Sequence, residues 1–196
     1  FLLLVGFLGA MNGLVLANSL AWLCVFWEMT TLCSFLLIGH ERTTEARASA
    51  MRALLINVVG GIALSASAFF AARGAHTEAL SGIMAARAVL PMALLCVAAF
   101  AKAAQMPFQS WLLGAMVAPT PVSALIHAAT MVKAGPYLVL RLAPAFAGTR
   151  VMDVVSLAGA FTFAVTATLA VSQSNAKKVL AYSTISNLGL IFACAG

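Results

Sequence analysis

The sequence predicts an all-α, polytopic transmembrane helix bundle of about seven spans with one discontinuous helix, and three observations predict it. The composition is 63% hydrophobic and only 8% charged, with a mean hydropathy of +1.05. A soluble domain carries about a quarter charged and about half apolar residues, so the excess apolar surface has to face lipid. The apolar residues fall into runs close to the roughly 20 residues that a spanning helix needs. One stretch is cut by prolines, and several ionisable side chains lie inside the apolar runs rather than at their ends.

In chain order the candidate spans are Phe1–Ala17, Leu20–Gly39, Ala50–Ala72, Val89–Ala104, Val122–Leu142, Val154–Val171 and Val179–Ala195. Asn18-Ser19 parts the first two, and the polar connection His40 to Arg47 follows the second. Arg73 to Arg87 follows the third, Pro144 to Asp153 divides the fifth from the sixth, and Ser172 to Lys178 the sixth from the seventh. Loops on one side carry Arg42, Arg47, Arg52, Lys177 and Lys178, and those on the other Arg73, Arg87, Arg141 and Arg150. That bias does not decide an orientation. No basic n-region precedes the run that opens at Phe1, so a signal peptide is not expected, and both ends read as truncated.

The net charge of +6 is spread singly between apolar runs, where basic residues bias topology and snorkel to headgroups. Nucleic-acid binding needs a clustered basic face, which the sequence lacks. Cys24, Cys33, Cys96 and Cys194 show no CxxC spacing and read as small buried hydrophobes, not as an iron–sulfur or zinc site. His40-Glu41 is followed by Thr44 where a zinc-protease helix needs its second His. No phosphate loop and no Ser–His–Asp spacing is present, so no cofactor, metal or catalytic triad is expected. Gly60-Gly61 reads as a site of close helix packing.

From Lys102 to Pro121 the sequence runs KAAQMPFQSWLLGAMVAPTP. Pro107 cannot donate to a helical ladder and its ring clashes with the carbonyl of Ala103, so a break is expected there. Inside a bilayer such backbone survives only where it is buried in protein or lines a wet cavity. Lys102 then lies at the break of a discontinuous helix whose second half is Phe108–Val117.

Glu28, Lys102 and Lys133 lie deep within apolar runs, with His127 on the same run as Lys133. At roughly 3 kcal/mol per charge at the bilayer centre, three of them cost on the order of 9 kcal/mol, which rivals the net stability of a domain. Such residues face the bundle interior and pair, or serve function. For Glu28 and Lys102 the alternative to function is an ion pair that locks two helices together. Pro136 frees the carbonyl of Val132 beside Lys133 and breaks that helix in turn. The alternative for Lys133 is snorkelling to an interface marked by Arg141. His127 alone would serve equally as a hydrogen-bonded core residue, but its titration range suits a proton relay.

Desolvation discourages the charged form of an amine, and a nearby carboxylate opposes that. A Glu28–Lys102 pair that forms and breaks would therefore load and unload a proton, which is expected to pass through His127 and water to Lys133. The drive has to come from partner subunits or from an ion gradient.

The blocks FWEMTTLCSFLLIGH (Phe26–His40), AFAKAAQMPFQSWL (Ala99–Leu112), APTPVSALIHAATMVKAGPYL (Ala118–Leu138) and KKVLAYSTISNLG (Lys177–Gly189) resemble the antiporter-like, proton-translocating membrane subunits of respiratory complex I. They resemble equally those of energy-converting hydrogenases and of Mrp-type antiporters. The resemblance implies two inverted five-helix repeats, each with a broken helix, of which this single transmembrane domain holds the first at about residues 1–147 and the start of the second at about 151–196. It implies Glu28 as acidic partner, Lys102 as broken-helix lysine, and His127 with Lys133 as central relay. Members often carry either that His or that second Lys, and this chain has both. The leading expectation is a pumping subunit, itself without redox centres, of a redox-driven complex. Its partners would be other membrane subunits, a peripheral redox arm, the lipid bilayer and protons, with no nucleic acid. The alternative is a subunit of an Mrp-type Na+/H+ antiporter, with Na+ as the second ion. Either would sit in a bacterial or archaeal cell membrane.

Overall fold

The computed structural model describes residues 1–75, 79–82, 88–126 and 131–195, and among these the chain is helical apart from turns and one isolated bridge. The helices are α1 (Leu2–Leu16), α2 (Leu20–Ile38), α3 (Thr44–Ala75), α4 (Val89–Lys102), α5 (Ser110–Gly114), α6 (Thr120–Ala124), α7 (Ala134–Phe146), α8 (Arg150–Val171) and α9 (Ala176–Ala195). Four of them, α2, α3, α8 and α9, are long and apolar enough to cross a membrane, and α1 and α4 are shorter apolar helices.

The distribution of side chains is that of a protein dissolved in lipid. Trp22, Ile62, Leu157 and Leu180 stand on the outer surface, whereas Lys102, Asn57, Gln105, Thr31 and Thr166 are buried inside. Helices expose apolar side chains only where the solvent is apolar, and polar groups then collect in the interior. Together with its spanning helices, this makes the chain an integral membrane protein.

α3 begins earlier than the apolar pattern suggests. Thr43 caps it by accepting a hydrogen bond from the Ala46 amide at 3.1 Å, and Glu45 in the first turn complements the helix dipole. The connection expected from His40 to Arg47 is therefore helical in its second half. α9 starts in the same way, with Asn175 Oδ1 accepting from the Lys177 amide at 2.9 Å.

Of the fifth expected span, Val122–Leu142, the structure describes residues 122–126 and 131–142. α6 ends at Ala124, Met131–Lys133 form a 3-10 turn, and α7 starts at Ala134. Pro136 sits in the first turn of α7, where its missing amide hydrogen has no helical partner to lose. It stands just after the change from the 3-10 turn Met131–Lys133 to α7. His127 lies outside the described residues.

Arg141 and Tyr137 on α7 hold the α1–α2 link. The Arg141 guanidinium donates to Ala17 O at 2.6 Å and Asn18 Oδ1 at 3.3 Å, and Tyr137 Oη donates to Val15 O at 2.7 Å. α8 and α9 form a hairpin that closes through Gly159 and Gly189, where a Cβ on either would lie within 3 Å of the other's carbonyl oxygen. The cysteines are not uniformly buried as expected: Cys96 is buried, Cys24 and Cys33 partly so, and Cys194 is exposed.

Candidate functional site

The site begins where α4 stops. Ala104 takes a left-handed conformation with φ 51°, the Gln105 amide reaches back to Phe100 O at 3.0 Å, and the Ala104 amide to Ala101 O at 3.3 Å. These two bonds are the Schellman pattern of a helix C-terminus, built here on alanine where glycine is usual. The helix thus ends before Pro107, by a left-handed turn rather than by the clash expected from that proline. Trp111 Nε1 on α5 donates to Ala101 O at 2.9 Å and ties the second half of the broken helix to the first. That half runs through α5 into a 3-10 turn, Ala115–Val117, close to the Phe108–Val117 expected. Its end is capped by Lys177 on α9, whose ammonium donates to Ala118 O at 2.9 Å.

Lys102 is the last residue of α4 and is 0% exposed. Its ammonium donates to Trp27 O at 3.0 Å and to Thr31 Oγ1 at 2.8 Å, and it lies 4.9 Å from the centroid of a Trp27 ring. Thr31 Oγ1 in turn donates to Trp27 O at 3.1 Å. The cation therefore docks on one turn of α2, the turn that carries Glu28.

Glu28 and Lys102 are near enough to feel each other's charge, yet among the described residues no ion pair joins them. The carboxylate instead lies on α3 at Gly61, and one turn away Cys24 lies near Ser65. This antiparallel register, continued by one more turn, brings Asn57 to the level of Thr31 and Lys102. Asn57 is 1% exposed; its amide donates to Ala53 O at 2.9 Å and its Oδ1 has no partner among the described residues.

The loop after Lys102 reaches towards α8 and α9. Gln105, 1% exposed, donates through Nε2 to Ala103 O at 3.1 Å and Ile185 O at 3.3 Å, and the Met106 amide donates to Thr162 Oγ1 at 3.4 Å. Gln105 Oε1, Gln109 Oε1 and Trp27 Nε1 are buried without a partner among the described residues. Next to Gln109, a recess of about 600 Å3 is lined by Ser110, Glu45, Arg52, Asn175 and Lys178, so polar and charged groups reach this end of the break.

Lys133 is not brought into this cluster. Gly135 packs against Ala99 and Ala103, which puts Lys133 at about the depth of Lys102, but Lys133 is exposed on the surface of the described bundle. Thr31, Asn57 and Gln105 were not singled out from the sequence. Thr31 had a signal there, three residues after Glu28 on one helical face. Asn57 had a weaker one, as the lone amide in an apolar run.

A bundle with an apolar exterior, a buried amine at a helix break and a carboxylate on the facing turn defines an antiporter-like membrane subunit. Residues 17–196 match the family described as NADH:quinone oxidoreductase/Mrp antiporter, TM, and the chain belongs to that family. It is 42% identical to a probable K(+)/H(+) antiporter subunit of Rhizobium meliloti (strain 1021), over 97% of this chain and 20% of that protein. It is 41% identical to an Na(+)/H(+) antiporter subunit of Bacillus subtilis (strain 168), over 100% of this chain and 26% of that protein. Among solved structures, the Mrp complex from Dietzia sp. DQ12-45-1b matches with a TM-score of 0.93 and 41% identity, over 98% of this chain and 22% of that one. The membrane-bound sulfane sulfur reductase, an archaeal respiratory membrane complex, matches with a TM-score of 0.84 at 21% identity over 96% of this chain and 41% of that one, a likeness of fold alone. The chain thus spans between a fifth and about a quarter of the antiporter relatives. These relatives favour the antiporter alternative over the redox-driven reading, and they lend no support to a peripheral redox arm.

Proposed function

We propose that the chain is the part of a monovalent cation/proton antiporter subunit that carries a buried proton-exchange site, centred on Lys102. The observation that carries this reading is the Lys102 ammonium: fully buried at the end of a broken helix, docked on Thr31 and Trp27, with Glu28 on the same turn of α2 but not ion-paired. A purely structural ion pair would close that contact, because a buried charge left without its partner is a net penalty. An amine held by a hydroxyl and a carbonyl, with a carboxylate close by, instead has two states of similar energy between which a proton can be released.

Glu28 is the acidic partner of Lys102 in this reading. His127 and Lys133 continue the path, Lys133 handing the proton to further polypeptide of the subunit. The unpartnered oxygens of Gln105, Gln109 and Asn57 are natural anchors for bridging waters, since buried polar groups without a protein partner recruit them. The recess beside Gln109 is the aqueous approach. Other membrane subunits complete the assembly, as the relation to the Mrp complex suggests.

The test is made on the complete assembly in inside-out membrane vesicles carrying an imposed proton gradient and no electron donor. Collapse of the gradient on adding Na+ or K+, read by a pH-sensitive dye, is the expected result. A gradient that responds only when an electron donor is supplied would return the assignment to a redox-driven pump.

A further inference from the structure

Gly60 and Gly61 are adjacent, yet they do different things. A Cβ built on Gly60 would meet Ala101 Cβ at 2.9 Å and Ala98 O at 3.4 Å, so Gly60 serves the packing of α3 on α4. A Cβ built on Gly61 would meet Glu28 instead: its three nearest atoms are Oε1, in direct overlap, Cδ at 2.9 Å and Oε2 at 3.5 Å. The volume that a side chain at Gly61 would fill is occupied by a carboxylate. Close helix packing, the reason the sequence offered for both glycines, applies to Gly60.

We infer that Gly61 is a positioning residue: the missing side chain makes a seat on α3 that holds the Glu28 carboxylate against the helix backbone and out of contact with the Lys102 ammonium. The seat accounts for two observations at once. It gives the carboxylate a place other than the ion pair, and it leaves Lys102 to bind Trp27 O and Thr31 Oγ1. The titratable groups around the seat are Cys24 on α2 and Lys102 on α4; α1 carries none, and those of α3 lie towards its ends. The inference rests on the reading of Glu28 and Lys102 as the exchange site and adds to it a residue with no proton chemistry of its own.

Because the atoms in the way are the far end of a flexible side chain, Gly61→Ala displaces the carboxylate rather than the helices. The experiment is a double-mutant cycle in the complete antiporter assembly, with cation-dependent gradient collapse as readout and assembly checked by subunit recovery. Gly61→Ala is expected to lower the rate by about tenfold or more, as misplacement of a reacting group by an ångström does. In a Glu28→Asp background, where the carboxylate is one methylene shorter and does not reach the seat, the same substitution is expected to cost less than about twofold. A loss of equal size in both backgrounds would reduce Gly61 to a packing residue and overturn the inference, as would wild-type rates for Gly61→Ala. If Gly61→Ala fails to assemble, recovery of assembly by Glu28→Asp supports the same contact, and failure to recover overturns it. Glu28→Gln serves as the control: if it transports normally, the exchange-site reading fails first, and if it is inactive that reading stands whatever Gly61→Ala does.

Discussion

At the scale of single residues, the contact that matters most is the one between Lys102 and Thr31. A buried ammonium needs acceptors, and hydrogen bonds to a charged group contribute about 1.5–3 kcal/mol each. Thr31→Val keeps the shape and removes one of the two acceptors recorded for Lys102. Cation/proton exchange in vesicles is expected to fall by about tenfold or more, the equivalent of that energy, while the assembly still forms. Thr31→Ser retains the hydroxyl and is expected to retain most of the rate. Equal behaviour of the two variants would remove Thr31 from the site. Lys102 and Glu28 were legible in the sequence because charge inside an apolar run is rare. Gly61 was legible only as a packing glycine, because its relation to Glu28 depends on the register of α2 on α3, which neither helix encodes alone.

At the scale of elements, the break after α4 does not arise as the sequence suggests. Prolines announced a discontinuity, and one is present, but the turn itself is made by Ala104 at φ 51° with no exposed surface. An L-residue in that conformation is less stable by about 1–2 kcal/mol than in a right-handed one, and a β-branched side chain is worse still. Ala104→Gly is therefore expected to assemble and transport like the parent, whereas Ala104→Val is expected to lose assembly or, where it assembles, to lose exchange. Western-blot recovery of the complex from membranes, paired with the gradient assay, separates the two effects. Apolar counting begins the α3 span at Ala50, but Thr43 and Glu45 nucleate the helix earlier, and capping residues outrank hydropathy in setting a boundary. In the fifth run the helical type changes, with a 3-10 turn at Met131–Lys133 leading into α7, and hydropathy does not register such a change.

For the whole molecule, the α1–α2 link is held to α7 by the Arg141 guanidinium together with the Tyr137 hydroxyl. Arg141→Met removes the donors to Ala17 O and Asn18 Oδ1 and leaves the side chain's bulk. Thermal unfolding of the purified assembly is expected to shift down, with a loss of about 1–3 kcal/mol, while the exchange rate per assembled complex stays within about twofold. An unchanged transition would mean that α1 is held by packing and by Tyr137 without help from Arg141. The membrane class and the broken helix were readable from composition and prolines. The nearness of Lys102 to Glu28 was readable too, but its bonds to Trp27 O and Thr31 Oγ1 were not, since they depend on how the helices meet at one level. Lys133 shares the depth of Lys102 through Gly135 but is exposed on the described bundle.

Whether Lys102 exchanges protons or merely holds helices together is decided by comparing two substitutions. Lys102→Arg keeps a fixed cation but cannot release a proton, and Lys102→Ala removes the charge. Both are assayed in the complete assembly by the collapse of an imposed proton gradient on adding Na+ or K+. An assembled complex that has lost exchange is expected in both variants. Exchange at the parental rate in Lys102→Arg would contradict that expectation, and would leave Lys102 as a structural cation.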